Sequence, residues 1–283
     1  MLIFREIQAL QNIISDFRQR NLSIGFVPTM GALHEGHLKL IHRSKQASDI
    51  TVCSIFVNPT QFNVPSDLEK YPRLPEKDLA LLEEAGCDIV FMPEVETMYP
   101  AGNMISHLDL DFGKLATVME GAQRPGHFDG VAQVVDRLLD LVKPDHLYMG
   151  QKDYQQVAIV RELIVQTGRP VQLIMVPTVR EPDGLAMSSR NIRLSPEDRI
   201  QAAILSQCLR KAQDDLALKP IALIEEAALS LLSTTPHFKP EYFEVVDGVT
   251  LQPIEHPHHH KSIVACVACW VGDVRLIDNM ILK

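Results

Sequence analysis

No stretch of eighteen consecutive apolar residues occurs in this 283-residue sequence, and a membrane-crossing helix needs about that length. The opening run MLIFREIQALQNIISDFRQR interrupts its apolar residues with acids and amides, where a secretory leader needs an unbroken apolar core. These two absences predict a cytoplasmic protein with no membrane partner. Basic residues are outnumbered, 27 Lys and Arg against 36 Asp and Glu, and the formal charge of −9 argues against a nucleic-acid partner, whose phosphates demand a basic face. Cysteine is sparse and odd in number, scattered as Cys53, Cys87, Cys208, Cys266 and Cys269. That excludes the dense even framework of a stapled secreted domain and predicts reduced thiols. Internal repeats, low-complexity tracts and Gly/Ser linkers are also missing, so any domain boundary must be read from a change of pattern.

What is present is an alternation of short apolar segments with helical patterns, the sign of a parallel sheet with crossover helices. SIGFVPT (23–29), ITVCSIFV (50–57), DIVFMP (88–93), HLYMG (146–150) and VQLIMVP (171–177) read as strands. Between the first two, EGHLKLIHRSKQAS carries Leu38, Leu40 and Ile41 as a buried stripe. Further helices are expected over 130–142 and 154–168, the latter ending on a glycine stop. After residue 184 the texture changes: helical patterns at 196–217 and 221–233 precede strand-like EYFEVV (241–246) and SIVACVACWV (262–271). The expected fold is a Rossmann-like α/β domain over 1–184 and a smaller α+β domain over 185–283.

The segment VPTMGALHEGHLKLIHRS places His34 and His37 three positions apart where the first strand gives way to a helix. A loop at that position presents backbone N–H groups and the positive end of the helix dipole, which favour an anion, with phosphate the natural candidate. Residues three apart on a helix are neighbours on one face, so both imidazoles can point at the anion, and Gly36 would let it approach the backbone.

PTMGALHEGH resembles the H-x-G-H signature of the class I aminoacyl-tRNA synthetase and nucleotidyltransferase superfamily. SIFVNPTQF (54–62), DLEKYPR (67–73), RPGHFDGV (124–131), GQKDYQQ (150–156), REPDGLAMSSRN (180–191) and RLIDN (275–279) together resemble the pantothenate synthetase (pantoate–β-alanine ligase) family, in order along nearly the whole chain. The resemblance implies condensation of pantoate with β-alanine through a pantoyl-adenylate, with ATP as co-substrate, Mg2+ on its phosphates, and release of AMP and pyrophosphate. It also implies a homodimer and a lid role for residues 185–283.

Residue by residue, the resemblance places His34, His37, Lys152 and Arg190 at the α-phosphate, with proton donation falling on His37. Ser188 and Ser189 add hydroxyls beside Arg190, in the position of the superfamily's second signature loop. Gly31 and Met187 join the ATP set, Met30 and Val179 flank the adenine, and Gly150 and Asp153 hold the ribose. Gln61 and Gln156 match the pantoate contacts, with Gln61 also reaching the β-alanine side. Neutral amides suit that task, because a full positive charge on the pantoate carboxylate would blunt its attack. No residue is assigned as a protein ligand for a metal.

Other features carry ordinary readings. Cys266 and Cys269 lie three apart on an expected strand and so face opposite sides, which disfavours chelation or a disulfide. HPHHHK (256–261) reads as an exposed loop, and FNVPSDLEKYPR (62–73) as a flap that closes over the adenylate. Two rival functions share the pocket: another adenylyltransferase of the superfamily, which has no amine-ligation step, and a non-catalytic nucleotide-sensing module. A synthetase acting on tRNA is disfavoured by the acidic charge.

Overall fold

The computed structural model describes residues 1–63, 65–100 and 108–283. The chain forms two compact units, one of residues 1–112, 125–150 and 159–177, the other of 113–124, 151–158 and 178–283.

The first unit is built on a six-stranded sheet of β1 (Leu2–Phe4), β2 (Ile24–Thr29), β3 (Ile50–Ile55), β4 (Ile89–Phe91), β5 (His146–Gly150) and β6 (Gln172–Val176). Its strand order is β1-β4-β3-β2-β5-β6, with every pair parallel. The five expected strands are present, and their near-continuous apolar runs reflect burial on both faces, as a helix-covered parallel sheet requires. Helices α1 (Ile7–Gln19), α2 (Glu35–Lys45), α4 (Pro75–Glu84) and α7 (His127–Val142) lie between strands, with the short α3 (Pro65–Glu69) and α5 (Val95–Met98) in the longer connections. α2 buries Leu38, Leu40 and Ile41 as its spacing predicts; burying one such side chain contributes about 1.5–3 kcal/mol. The strand order reverses between β2 and β5, and at such a switch point the carboxyl ends of the strands open the crevice in which α/β sheets take ligands.

The second unit holds a three-stranded antiparallel sheet of β7 (Phe238–Asp247), β8 (Ile263–Val271) and β9 (Val274–Ile281), order β7-β8-β9. Residues from α10 (Ile204–Asp215) and α11 (Ile221–Thr234) share one apolar core with one face of that sheet, including Leu209, Leu232, Phe243, Val267, Cys269 and Leu276. The helical pattern at 196–217 is two helices, α9 (Pro196–Gln201) and α10. The other short elements are α6 (Met119–Gln123) and the start of α8 (Tyr154–Thr167), which continues into the first unit. Cys269 belongs to the helix-covered core, whereas Cys266 lies outside it, as strand alternation demands. All five cysteines are free and buried, and burial pushes the Cys269 thiol up to about 12. The histidine-rich stretch is an exposed turn between β7 and β8, tied back where His260 Nδ1 lies 2.8 Å from Asp247 Oδ2. No helix among the described residues is long and apolar enough to cross a membrane.

Candidate active site

β2 ends at Thr29, and the chain crosses Met30, Gly31, Ala32 and Leu33 before α2 begins. The N–H groups of this loop have internal partners. The carboxylate of Asp78, only 1% exposed, accepts from Ala32 N at 2.8 Å and Leu33 N at 2.7 Å. Gly31 N donates to Thr29 Oγ1 at 3.2 Å. His34 caps α2: its Nδ1 accepts from Gly36 N at 3.1 Å, while His37 Nδ1 accepts from His34 N at 3.4 Å. The amides of Gly31, Ala32 and Leu33 are thus bonded within the protein, and the imidazoles of His34 and His37 follow them at the start of α2.

A ring nitrogen that accepts a hydrogen bond bears no proton, so both neutral rings hold their hydrogen on Nε2. With centroids 4.2 Å apart, the two rings form a paired donor set. Gly36 is required on packing grounds: a Cβ there would lie 2.8 Å from His34 Cε1 and 2.9 Å from His34 Nδ1. Its missing side chain makes room for the His34 ring.

Gln61 sits in the same unit, buried on the turn Pro59–Gln61. Asn58 Nδ2 donates to Gln61 Oε1 at 3.3 Å and to Gly130 O at 3.0 Å, and Tyr99 Oη donates to Asn58 Oδ1 at 2.9 Å. His127 Nδ1 donates to Gln61 O at 2.7 Å. α7 packs so closely here that a Cβ on Gly130 would stand 2.4 Å from Thr60 O, which explains the glycine in RPGHFDGV. Gln61 Nε2 lies 3.0 Å from Met30 Sδ, so the amide expected for pantoate and the methionine expected for adenine meet. A thioether is a weak acceptor, readily displaced by a substrate oxygen. Asp129 is exposed in the first turn of α7, where an acid complements the dipole.

The second unit carries the remaining expected residues apart from Gly150, which ends β5 in the first unit. Lys152 and Asp153 lie on the single turn Gln151–Asp153 after Gly150, the last residue of β5, and Gln156 is half-buried in the first turn of α8. Lys152 Nζ is 3.5 Å from Asp153 Oδ1, with the acid 46% exposed, a pairing weak enough to yield to a phosphate. Val179 and Met187 are held side by side by Met187 N donating to Val179 O at 3.0 Å. Ser188 Oγ accepts from Arg190 N at 3.3 Å, capping the turn Ser189–Arg193. That serine is thus a cap, with its own hydroxyl hydrogen still available to donate.

The first unit thus places two imidazoles at the start of α2, and the second unit carries Lys152 and Arg190 on loops. The sequence model of the pantoate–β-alanine ligase family matches residues 2–281. The chain belongs to that family. Pantothenate synthetase of Porphyromonas gingivalis is 46% identical over 280 residues, covering 99% of each chain. That of Bacteroides fragilis is 44% identical over 283 residues, covering 100% of this chain and 99% of the relative. The crystal structure of the Thermus thermophilus enzyme matches over the whole of both chains with a TM-score of 0.93 at 41% identity. The pantoate–β-alanine ligase of Francisella tularensis, described as complexed with β,γ-ATP and β-alanine, matches with a TM-score of 0.83 at 35% identity, covering 100% of this chain and 98% of that one.

The α/β fold with a small antiparallel sheet is therefore that of pantoate–β-alanine ligases, and the chain is a ligase of that family. Asp78, Asn58 and His127 are the residues that motif reading missed. Asn58 and His127 stand inside the blocks SIFVNPTQF and RPGHFDGV, so the blocks located them without revealing their task. Asp78 lies outside every such block.

Proposed function

We propose that this pantoate–β-alanine ligase condenses its substrates in two steps. The pantoate carboxylate attacks the α-phosphate of ATP and expels pyrophosphate, giving a pantoyl-adenylate; the β-alanine amine then attacks the acyl carbon and releases AMP. In-line attack spreads negative charge over the equatorial phosphate oxygens. The observation that carries the reading is the backbone-fixed tautomer of His34 and His37, which turns two adjacent rings into Nε2–H donors. Lys152 and Arg190 add full charges, with Ser188 and Ser189 beside Arg190, and His37 donates the proton. Met30 and Val179 seat the base, Gly31 and Met187 join the ATP contacts, Gly150 and Asp153 hold the ribose, and Gln61 and Gln156 the pantoate. Residues 1–184 bind nucleotide and pantoate, and 185–283 act as a lid.

Magnesium enters on the triphosphate. Among the described residues no group of three or more His, Cys, Asp or Glu side chains is arranged to hold a metal ion, so phosphate oxygens and water would be its ligands. Five free, buried thiols suit a reducing cytoplasm, and a homodimer is expected on sizing with light scattering. The rival adenylyltransferase and nucleotide-sensing readings find no support in a family match that spans residues 2–281. The deciding assay is AMP formation from ATP with and without pantoate and β-alanine. Turnover that requires pantoate is expected; equal turnover with unrelated acids would undo the substrate assignment.

A further inference from the structure

The block RLIDN (275–279) has no role in the chemistry above, yet the structure places its last two residues at the root of both cation-bearing loops of the second unit. Asn279 is 1% exposed on β9. Its Nδ2 donates to Gln151 O at 2.9 Å and to Lys152 O at 2.8 Å, and its Oδ1 accepts from Gln151 Nε2 at 3.2 Å. One carboxamide thus spends both donors and an acceptor on the turn that carries Lys152.

Asp278, 3% exposed, grips Arg180 with both oxygens, at 2.6 Å from Nη1 and 3.1 Å from Nη2. Arg180 also donates to Gly184 O and Asn279 O, each at 3.1 Å. Around it the chain folds back on itself: Arg180 bridges Ala186 in antiparallel fashion, and Glu181 N donates to Leu185 O at 2.8 Å. The returning arm of that hairpin runs straight into Met187, Ser188, Ser189 and Arg190.

Successive residues of a strand point to opposite faces, so Asp278 and Asn279 address two different loops from one rigid element. Their partners across the sheet are Val267 and Cys266, and apolar residues would complete the sheet without the cost of burying a carboxylate and an amide. We propose that Asp278 and Asn279 are positioning residues, Asn279 fixing Lys152 and Asp278, through Arg180, fixing Arg190, so that one strand sets the placement of both cations. The proposal rests on the roles given above to Lys152 and Arg190.

A double-mutant design separates this from a general structural role. Asn279→Ala and Asp278→Asn are each made in the wild-type, Lys152→Ala and Arg190→Ala backgrounds, and pyrophosphate release from ATP and pantoate is followed in a single turnover. Misplacing a catalytic group by about 1 Å costs on the order of a hundredfold, so each single variant is expected to slow the wild type by roughly ten- to a hundredfold. Asn279→Ala should cost markedly less in Lys152→Ala than in Arg190→Ala, and Asp278→Asn should show the reverse. Should Asn279→Ala fail to fold by circular dichroism, Asn279→Asp, equal in size but lacking both N–H donors, takes its place. A cost that is the same in all three backgrounds, or a wild-type rate in either folded single variant, overturns the proposal alone. Wild-type rates in Lys152→Ala and Arg190→Ala themselves would overturn the site reading and this proposal with it.

Discussion

An imidazole whose Nδ1 is occupied by a backbone N–H can do one thing well, which is to offer Nε2–H along a fixed direction. His34 and His37 each hold Nδ1 against a backbone N–H, and under the proposed function this orients both rings before substrate arrives. Losing one preorganised donor typically costs about a hundred- to a thousandfold in rate. His37→Ala and Lys152→Ala are each expected to fall by that factor in kcat, with circular dichroism unchanged; a near-wild-type rate in well-folded His37→Ala would remove it from the mechanism. The spacing of the two histidines was legible in the sequence, but for a reason other than a shared helical face: His34 is the extended N-cap of α2 and meets His37, the third helical residue, through reciprocal bonds to backbone N–H groups. The groups that aim them were not. Asp78 binds two loop amides and Asn58 orients Gln61, and a polar side chain bonding to a distant backbone leaves no periodicity along the chain.

At the scale of elements, legibility followed apolar content. β2, β3, β4, β5 and β6 were readable as apolar runs, whereas β1 is three residues long with Leu2 and Ile3 exposed, and β9 is broken in pattern by Arg275, Asp278 and Asn279. Those three polar residues are the ones that bond to neighbouring loops and to Glu120 and Glu241. The connection after β7 yields a pH prediction. Burial opposes the charge of Asp247, but the amides of Thr250 and Val249, the Thr250 hydroxyl and His260 outweigh it and lower the carboxyl from 3.8 to about 2. A depressed carboxyl stabilises the fold fully above its ordinary value and loses that contribution as pH falls through the folded one. Stability followed by fluorescence of Trp270, the single tryptophan, is therefore expected to decline between about pH 4 and pH 2, and Asp247→Asn should flatten part of that decline; an unchanged slope would remove Asp247 as its source. The expected flap 62–73 contains the five-residue helix α3 and a buried Tyr71 set edge-on to Phe62 at 5.8 Å, with Val64 outside the described residues. Slower hydrogen exchange there on adding ATP and pantoate is expected of a closing flap, and equal protection in both states argues against one.

For the whole molecule the decisive question is which phosphorus atom the carboxylate attacks. The proposed route takes the α-phosphate: the chain has no G-x-x-x-x-G-K-S/T cradle for β- and γ-phosphates, and its paired imidazoles lie at the start of the helix that follows β2 at the sheet's switch point. If attack falls on the α-phosphate, one carboxylate oxygen becomes the bridge of the acyl-adenylate and must leave with AMP when the β-alanine amine takes the acyl carbon. Attack on the γ-phosphate would instead carry that oxygen into orthophosphate and release ADP. Pantoate labelled with oxygen-18 in its carboxylate, taken to completion with ATP and β-alanine and followed by mass spectrometry, separates the two. Heavy AMP together with unlabelled pyrophosphate is the expected result; heavy orthophosphate with ADP would show that the imidazole pair, Lys152 and Arg190 serve some other step, because no α-phosphate charge would then develop for them to stabilise.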